Sequence, residues 1–381
     1  MTFAKWHRQT KTSLARGDVM GGMVKGVLSG TVLAILMAGI SAPVQAGGIL
    51  KIDDDHWISV GAGLRTNFTV AEDAAPSGAD YSKDFDVDSV RLYVNGKMHR
   101  YIKFTFNTEK AGELSDIRLL DAIAQFEFSD TANIWMGRFL PPTDRANLDG
   151  PYYLGTYDYP FVSAYPAILA GRDNGAAFWG QVGKGKFKYQ VGAFEGRREG
   201  SNQGDNLLYS GRLVLNLWDP EPGYYNSSTY FGAANILAFG ASMTYQKDGA
   251  GTEANPGNFR GLTLDALMDR KLPGDGVVTL EGAYYDYDLD DVPDPSLVQG
   301  DGYLAYAAYM FPQAIGIGKF QPHVRYQKLN PDSGTDHERT DLGVNYVISG
   351  HDALISGIYS RDKFAGEEAA NIFKLGVQLQ Y

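Results

Sequence analysis

The run Asp286-Tyr287-Asp288-Leu289-Asp290-Asp291 spaces its carboxylates as a calcium-binding loop does, but its sixth position is Asp291, where a glycine must turn the chain, and its twelfth is Leu297, where a bidentate glutamate would close the site. Gly180 through Lys186 approximates a phosphate-binding loop, yet Phe187 replaces the metal-binding hydroxyl and the flanking pattern runs strand to strand, with no helix dipole. Asp53-Asp54-Asp55 reads as a solvated lead-in to a strand. Six histidines, four of them after His56, give no metal-ligand pair at helical spacing, and His323 and His337 fall on separate strands. There is no Gly-x-Ser-x-Gly elbow. With no cysteine there is no thiolate nucleophile, disulfide, zinc ribbon or self-attached c-type haem. The sequence therefore predicts no enzyme, no metal and no cofactor.

A different chemistry lies in charged residues set at the centres of alternating apolar segments. In Ile372–Tyr381 the residues Phe373, Leu375, Val377, Leu379 and Tyr381 share one face, and Lys374, Gln378 and Gln380 the other. The same period of two runs through 89–95, 101–107 and 339–346, so each strand has one apolar and one polar face. By that alternation the polar face carries Arg65, Arg91, Lys103, Lys188, Arg212, Arg325, Arg339 and Lys374, opposed by Asp121, Glu127, Asp265, Glu281 and Asp341. A soluble β-sandwich also alternates. Charges at strand centres, segments of about ten residues and aromatics at segment ends instead fit a membrane barrel whose polar face lines the lumen.

The elements that must position these charges are predicted at 56–70, 86–97, 100–109, 117–128, 133–139, 173–183, 186–196, 206–218, 235–247, 258–269, 276–287, 301–311, 319–329, 337–348, 352–362 and 371–381. The fold class is all-β: a 16-stranded antiparallel transmembrane β-barrel, an even count that returns both termini to one side. Odd-numbered connections face outward and include 71–85, 140–172, 248–257 and 288–300, whereas Gly183–Gly185 and Ser349–His351 are tight inward turns. The inward connection 219–234 is longer than this rhythm explains. Sixteen strands enclose an aqueous lumen, so the architecture implies a diffusion channel. The longest connection, 140–172, is the third outward loop. It is expected to fold into the lumen, with Asp144, Arg145, Asp149, Tyr152, Tyr153, Asp158 and Arg172 as constriction residues.

Composition agrees. Of 381 residues, 44% are hydrophobic and 21% charged, enough apolar surface to exclude a disordered chain. A formal charge of −11 argues against nucleic acid as a partner. From Met23 the chain has a basic start at Lys25, an apolar run Val32–Ala38 and small residues before Ala46, the order of a signal peptide cleaved after Ala46. Translation starts at Met1, Met20 or Met23; the sequence leaves all three open. Loss of residues 1–46 removes five basic side chains and one acid, so a mature barrel domain of residues 47–381 carries −15.

The runs Val90–Lys97 and Tyr101–Phe104, then Met136-Gly137-Arg138-Phe139-Leu140-Pro141-Pro142, and later Gly171-Arg172-Asp173-Asn174-Gly175, resemble the phosphate-selective porin O and P family. That resemblance implies a homotrimeric bacterial outer-membrane porin in lipid and lipopolysaccharide, passing small hydrophilic solutes or ions, including anions such as phosphate. The aromatic Tyr381 on an alternating last strand matches the terminal signal that directs such barrels into the membrane. Two other readings stay open: a barrel sheathing an electron-transfer partner, and a hydrolase at the barrel wall.

Overall fold

The computed structural model describes residues 48–112, 116–164 and 171–381. The expected signal peptide over 1–46 lies outside the described residues. A short strand β1 (Gly48–Lys51) hairpins onto β2 (Trp57–Ala71). There follow β3 (Ser82–His99), β4 (Ile102–Lys110), β5 (Arg118–Ser129) and β6 (Ala132–Phe139). A five-residue helix α1 (Arg145–Asp149) lies in the long segment before β7 (Asp173–Val182), β8 (Phe187–Phe194) and β9 (Leu208–Asn216). The chain continues with β10 (Ile236–Thr252), β11 (Asn255–Lys271), β12 (Val277–Asp288) and β13 (Gly300–Met310). A two-residue β14 (Ala314–Ile315) precedes β15 (Gly318–Pro331), β16 (His337–Ser349), β17 (Ala353–Phe364) and β18 (Ala370–Gln380).

Apart from β1 and β14, the strands form a closed barrel of sixteen, each antiparallel to its neighbours in sequence. Closure is made by β18 against β2, in register from Ile372 opposite Ala71 to Gln380 opposite Gly63. Tyr381 extends this seam by exchanging main-chain bonds with Ala62 at 2.8 and 2.7 Å. No helix among the described residues is long and apolar enough to cross a membrane; closure lets strands do so, because every interior backbone group is paired between strands.

The sixteen predicted segments coincide with these strands, with shifted ends. Ser82–Phe85 belong to β3, and β10 and β11 absorb most of the predicted outward loop 248–257. The pairing slips between Gln246 and Ala250, with Asp248 at φ 55° and Gly251 at φ 82°. This bulge lets the ladder resume at Ala250 opposite Gly257, which simple alternation does not reveal.

Burial follows the alternation. In β9, Leu208, Ser210, Arg212, Val214 and Asn216 are buried while Tyr209, Leu213 and Leu215 are half exposed. Met243, Leu264, Leu342 and Leu375 are likewise exposed, so the outer wall is an apolar band. Ring pairs Tyr101–Phe128, Tyr309–Phe311 and Phe320–Tyr346 lie at strand ends. Leu375→Arg, at the middle of β18 on the outer face, should destabilise the barrel by about 2–4 kcal/mol in denaturant titrations from lipid vesicles. A cost near zero would remove that face from the bilayer.

Candidate functional site

The third outward connection is held from its first turn. Asp144 caps α1 by accepting from Asn147 N at 3.2 Å, and Gly150 closes it at φ 61°. This places Arg145 among carboxylates: its Nη1 and Nη2 each donate to Glu221 at 2.8 Å, Nη1 donates to the Ser227 carbonyl at 2.8 Å, and its backbone N donates to Asp265 at 3.3 Å. Asp265 in turn binds Arg212 at 2.6 and 2.8 Å, and Arg212 donates to the Thr143 carbonyl at 3.1 Å. Arg145 and Glu221 are both 1% exposed. Burial alone would lower the Arg145 pKa, but Glu221, with Asp265 and Asp149, holds it well above its ordinary value. Burial raises Asp149 well above the usual carboxylate range against the pull of Arg145. Asp149 accepts from Ser228 at 2.5 Å and from Asn226 Nδ2.

The remainder of the loop bonds to strand after strand. Pro142 accepts from Ser210 of β9, and Tyr152 bonds Ser89 of β3 at 3.1 Å and, through its carbonyl, Gln378 of β18 at 2.9 Å. Arg91 lies 4.8 Å and Arg65 5.7 Å from the Tyr152 ring centre. Gly155 O accepts from Tyr306 of β13 and Asn345 of β16. Tyr157 donates to Asp88 and to the Thr66 carbonyl, its ring lies 4.0 Å from the Arg65 guanidinium, and its own carbonyl accepts from Arg65. Asp158 accepts from Lys374 of β18 at 2.6 Å through its carboxylate and from Arg325 of β15 at 2.6 Å through its carbonyl. Phe161 stacks on His337 at 4.0 Å and donates from its backbone to Gln327. Tyr287 of β12 bonds both Val162 and Ala164. Two wall glycines make room: a Cβ at Gly63 would lie 2.9 Å from the Tyr152 ring, and one at Gly376 would strike Tyr157.

The inward connection 219–234, whose length the strand rhythm left unexplained, is the other half of this assembly. Besides Glu221, it supplies Tyr224, stacked on Trp135 at 4.6 Å and donating to the Leu140 carbonyl at 3.0 Å. Lys188 donates to the Tyr225 carbonyl and Gln190 to that of Tyr224. Thr229 bonds Asp269. Connections between β6 and β7 and between β9 and β10 leave an antiparallel barrel at opposite ends, and the two segments meet where Arg145 bonds Glu221. They join the turn after β16 at His351, which bonds the Thr229 carbonyl at 2.9 Å and packs against Tyr153 and Phe231.

The charges singled out from alternation are placed as follows. Arg91 pairs with Glu109 at 3.0 Å, Lys103 with Glu127 at 2.5 Å, Arg172 with Asp121 at 3.1 Å, Arg212 with Asp265 at 2.6 Å and Arg325 with Asp341 at 2.7 Å. Arg339 pairs with Asp362 at 2.7 Å and Lys374 with Asp158. Arg65 and Lys188 are buried with no carboxylate in ion-pair range among the described residues. Glu281 is partly buried on β12. Glu109 and Asp362 were missed, although Glu109 shares strand parity with the named Lys103; β17, which carries Asp362, held no named charge. Glu221 had no periodic signal because it lies in a turn. Between the β3–β7 wall and the two segments lies a cavity of about 650 Å³ bordered by Arg91, Lys103, Asp121, Glu127, Asp149, Tyr153 and Arg172.

The acidic run near Asp288 is occupied by Arg260, at 2.7 Å from Asp288 and 2.5 Å from Asp290. No cluster of three metal-ligating side chains occurs among the described residues.

A family model described as phosphate-selective porin O and P matches residues 58–247. In-vitro folded OmpT of Vibrio cholerae superposes with a TM-score of 0.56 at 13% identity, covering 87% of this chain and 99% of that one. An anion-selective porin from Comamonas acidovorans gives 0.57 at 12% identity, covering 85% and 99%. A trimer form of OmpT gives 0.54 at 14%, covering 86% and 100%. No curated protein matches. At these identities the likeness is one of fold.

Glu221→Ala should cost about 3 kcal/mol or more, because it leaves the buried Arg145 charge with only the more distant Asp265; denaturant unfolding in vesicles measures it. Burial also lowers the His351 pKa to about 4 from 6.5, so the unfolded chain binds the proton first. Stability should be full above about pH 6.5 and fall by up to about 3 kcal/mol as pH drops toward 4. His351→Gln should flatten that part of the stability–pH curve.

Proposed function

Because the chain belongs to the phosphate-selective porin O and P family and is an outer-membrane channel barrel, we propose that it passes small hydrophilic solutes by passive diffusion, with the third loop lying across the lumen as its constriction. The observation that carries this reading is the bonding of segment 140–164 to inner-face side chains of β2, β3, β9, β11, β12, β13, β15, β16 and β18. A segment tied to nine strands, from β9 round through the β18–β2 seam to β3, is supported as a crossing element and not as an outer cap. In this reading Asp144, Arg145, Asp149, Tyr152 and Asp158 fix the loop, while Tyr153 and Arg172 face the open passage.

The family's name suggests anions. Local chemistry weighs against a strong preference, since selectivity follows the field at the constriction. Arg91, Lys103 and Arg172 each sit within 3.1 Å of a carboxylate. Arg65, without such a partner, is the inner-face cation best placed to tilt selectivity toward anions. A homotrimer is the assembly we propose, by analogy with the trimer form of OmpT. Residues 1–46 are proposed as a cleaved export signal, Tyr381 as the insertion signal, and outer-membrane lipid and lipopolysaccharide as the surroundings. The sheath reading has no observation in its favour, since segments 140–164 and 219–234 take up inner-face positions that a partner would need.

Reconstituted in a planar bilayer under a tenfold KCl gradient, the protein should give a zero-current potential well below half of the about 59 mV of ideal selectivity. Glu109→Gln, which frees Arg91, should move it toward anions. A near-ideal anion potential with block by phosphate would refute the weak-selectivity reading.

A further inference from the structure

We propose that the cavity between the β3–β7 wall and the two inner segments binds a neutral polyhydroxylated solute, a mono- or disaccharide, in preference to an inorganic anion. This rests on the channel reading above and names the solute that the passage retains.

The argument begins with what the cavity's charges are already doing. The Arg91, Lys103 and Arg172 cations are each held by Glu109, Glu127 and Asp121, at 3.0, 2.5 and 3.1 Å. A phosphate ion approaching any of them must compete with a fixed carboxylate at hydrogen-bond distance, and it meets that carboxylate's repulsion after shedding its own water. A neutral solute incurs neither cost. Paired carboxylates keep lone pairs that can accept from hydroxyl groups.

Lys97, Arg100 and Asp130 also border the cavity, and between the charged groups the wall offers neutral hydrogen-bonding capacity. Asn95, Asn107, Gln125 and Asn133 line one side of the cavity. The Oδ1 of Asn107 has no partner among the described residues, while its Nδ2 donates to Asp121 at 2.9 Å. Trp179, only 6% exposed, also borders the cavity, and its indole N–H has no partner among the described residues. Both of these atoms are themselves buried, and it is the amides along the wall that match a hydroxylated solute, since an amide, like a set of hydroxyls, both donates and accepts.

Aromatic rings complete the lining, Tyr93 beside Asn95 on the wall and two more from the inner segments. Tyr93 of β3, Tyr153 of the third loop and Tyr225 of the inward connection border the same space, each partly exposed. A pyranose has an apolar C–H face and a rim of hydroxyls, and a lining that holds both tyrosine rings and amides offers partners to each. The volume of about 650 Å³ falls within the range of small-molecule sites.

The test uses residues 47–381 in planar bilayers in KCl, with glucose, maltose or inorganic phosphate added at equal concentration. Maltose should reduce the current in a saturable manner at concentrations where phosphate does not. Tyr225→Ala should raise the half-blocking maltose concentration about tenfold, and Asn133→Ala should raise it less. Each variant's KCl current reports whether it inserts, and if Tyr225→Ala does not, Asn133→Ala carries the comparison. A conducting wild type that ignores both sugars, or that phosphate blocks at lower concentration than maltose, overturns the saccharide proposal and leaves the channel standing. A wild type that inserts but passes no KCl overturns the channel reading and this proposal with it.

Discussion

The pairing of β18 with β2 is the constraint from which the rest follows. In a hydrocarbon layer an unpaired backbone group has no water to turn to, so a sheet survives there only without edges. Closing sixteen strands satisfies that demand and creates a second problem, an interior too wide for wall side chains to fill. In the channel proposed above, the chain itself takes up that space. One segment comes from between β6 and β7 and another from between β9 and β10, from opposite ends, and they meet where Arg145 binds Glu221.

That meeting point shows which effect wins in a crowded polar interior. Burying Arg145 is costly, and an isolated guanidinium at 1% exposure would be intolerable. Two hydrogen bonds to one carboxylate, one to a carbonyl and a second acid at 3.8 Å make the burial tolerable and fix direction as well as distance. The same logic repeats around the wall, where nearly every inward cation lies against an acid on a neighbouring strand or on a loop. Gly240 belongs to this scheme, because a Cβ there would strike both Arg212 and Asp265. The notches at Gly63 and Gly376 serve the loop tyrosines in the same way.

How much of this was legible depended on whether the information was local. Period two is written residue by residue, so all sixteen strands could be read, and with them which residues of a strand share a face. The β10–β11 hairpin was cut short because a bulge carried by Asp248 breaks the period without ending the pairing. Ion-pair partners were harder. Glu109 shares parity with Lys103, but its pairing with Arg91 depends on the register of β3 against β4, which alternation does not specify. Glu221 was illegible for a deeper reason: its role comes from a contact 76 residues away, between two segments that have no period at all.

The same distinction separates fold from selectivity. The barrel fold is shared at 12–14% identity, because it answers a constraint set by the membrane. The sign and strength of a channel's field answer to a handful of side chains at one level of the lumen, and these change without cost to the barrel. A wall of arginines attracts anions only while their charge is unspent. Here Glu109, Glu127 and Asp121 stand within 3.1 Å of Arg91, Lys103 and Arg172, so the field that reaches a passing solute is that of dipoles whose reach falls off faster than that of single charges. On the saccharide proposal, discrimination in this passage comes from hydrogen bonds and ring faces at contact range, and so from the shape of the solute more than from its charge.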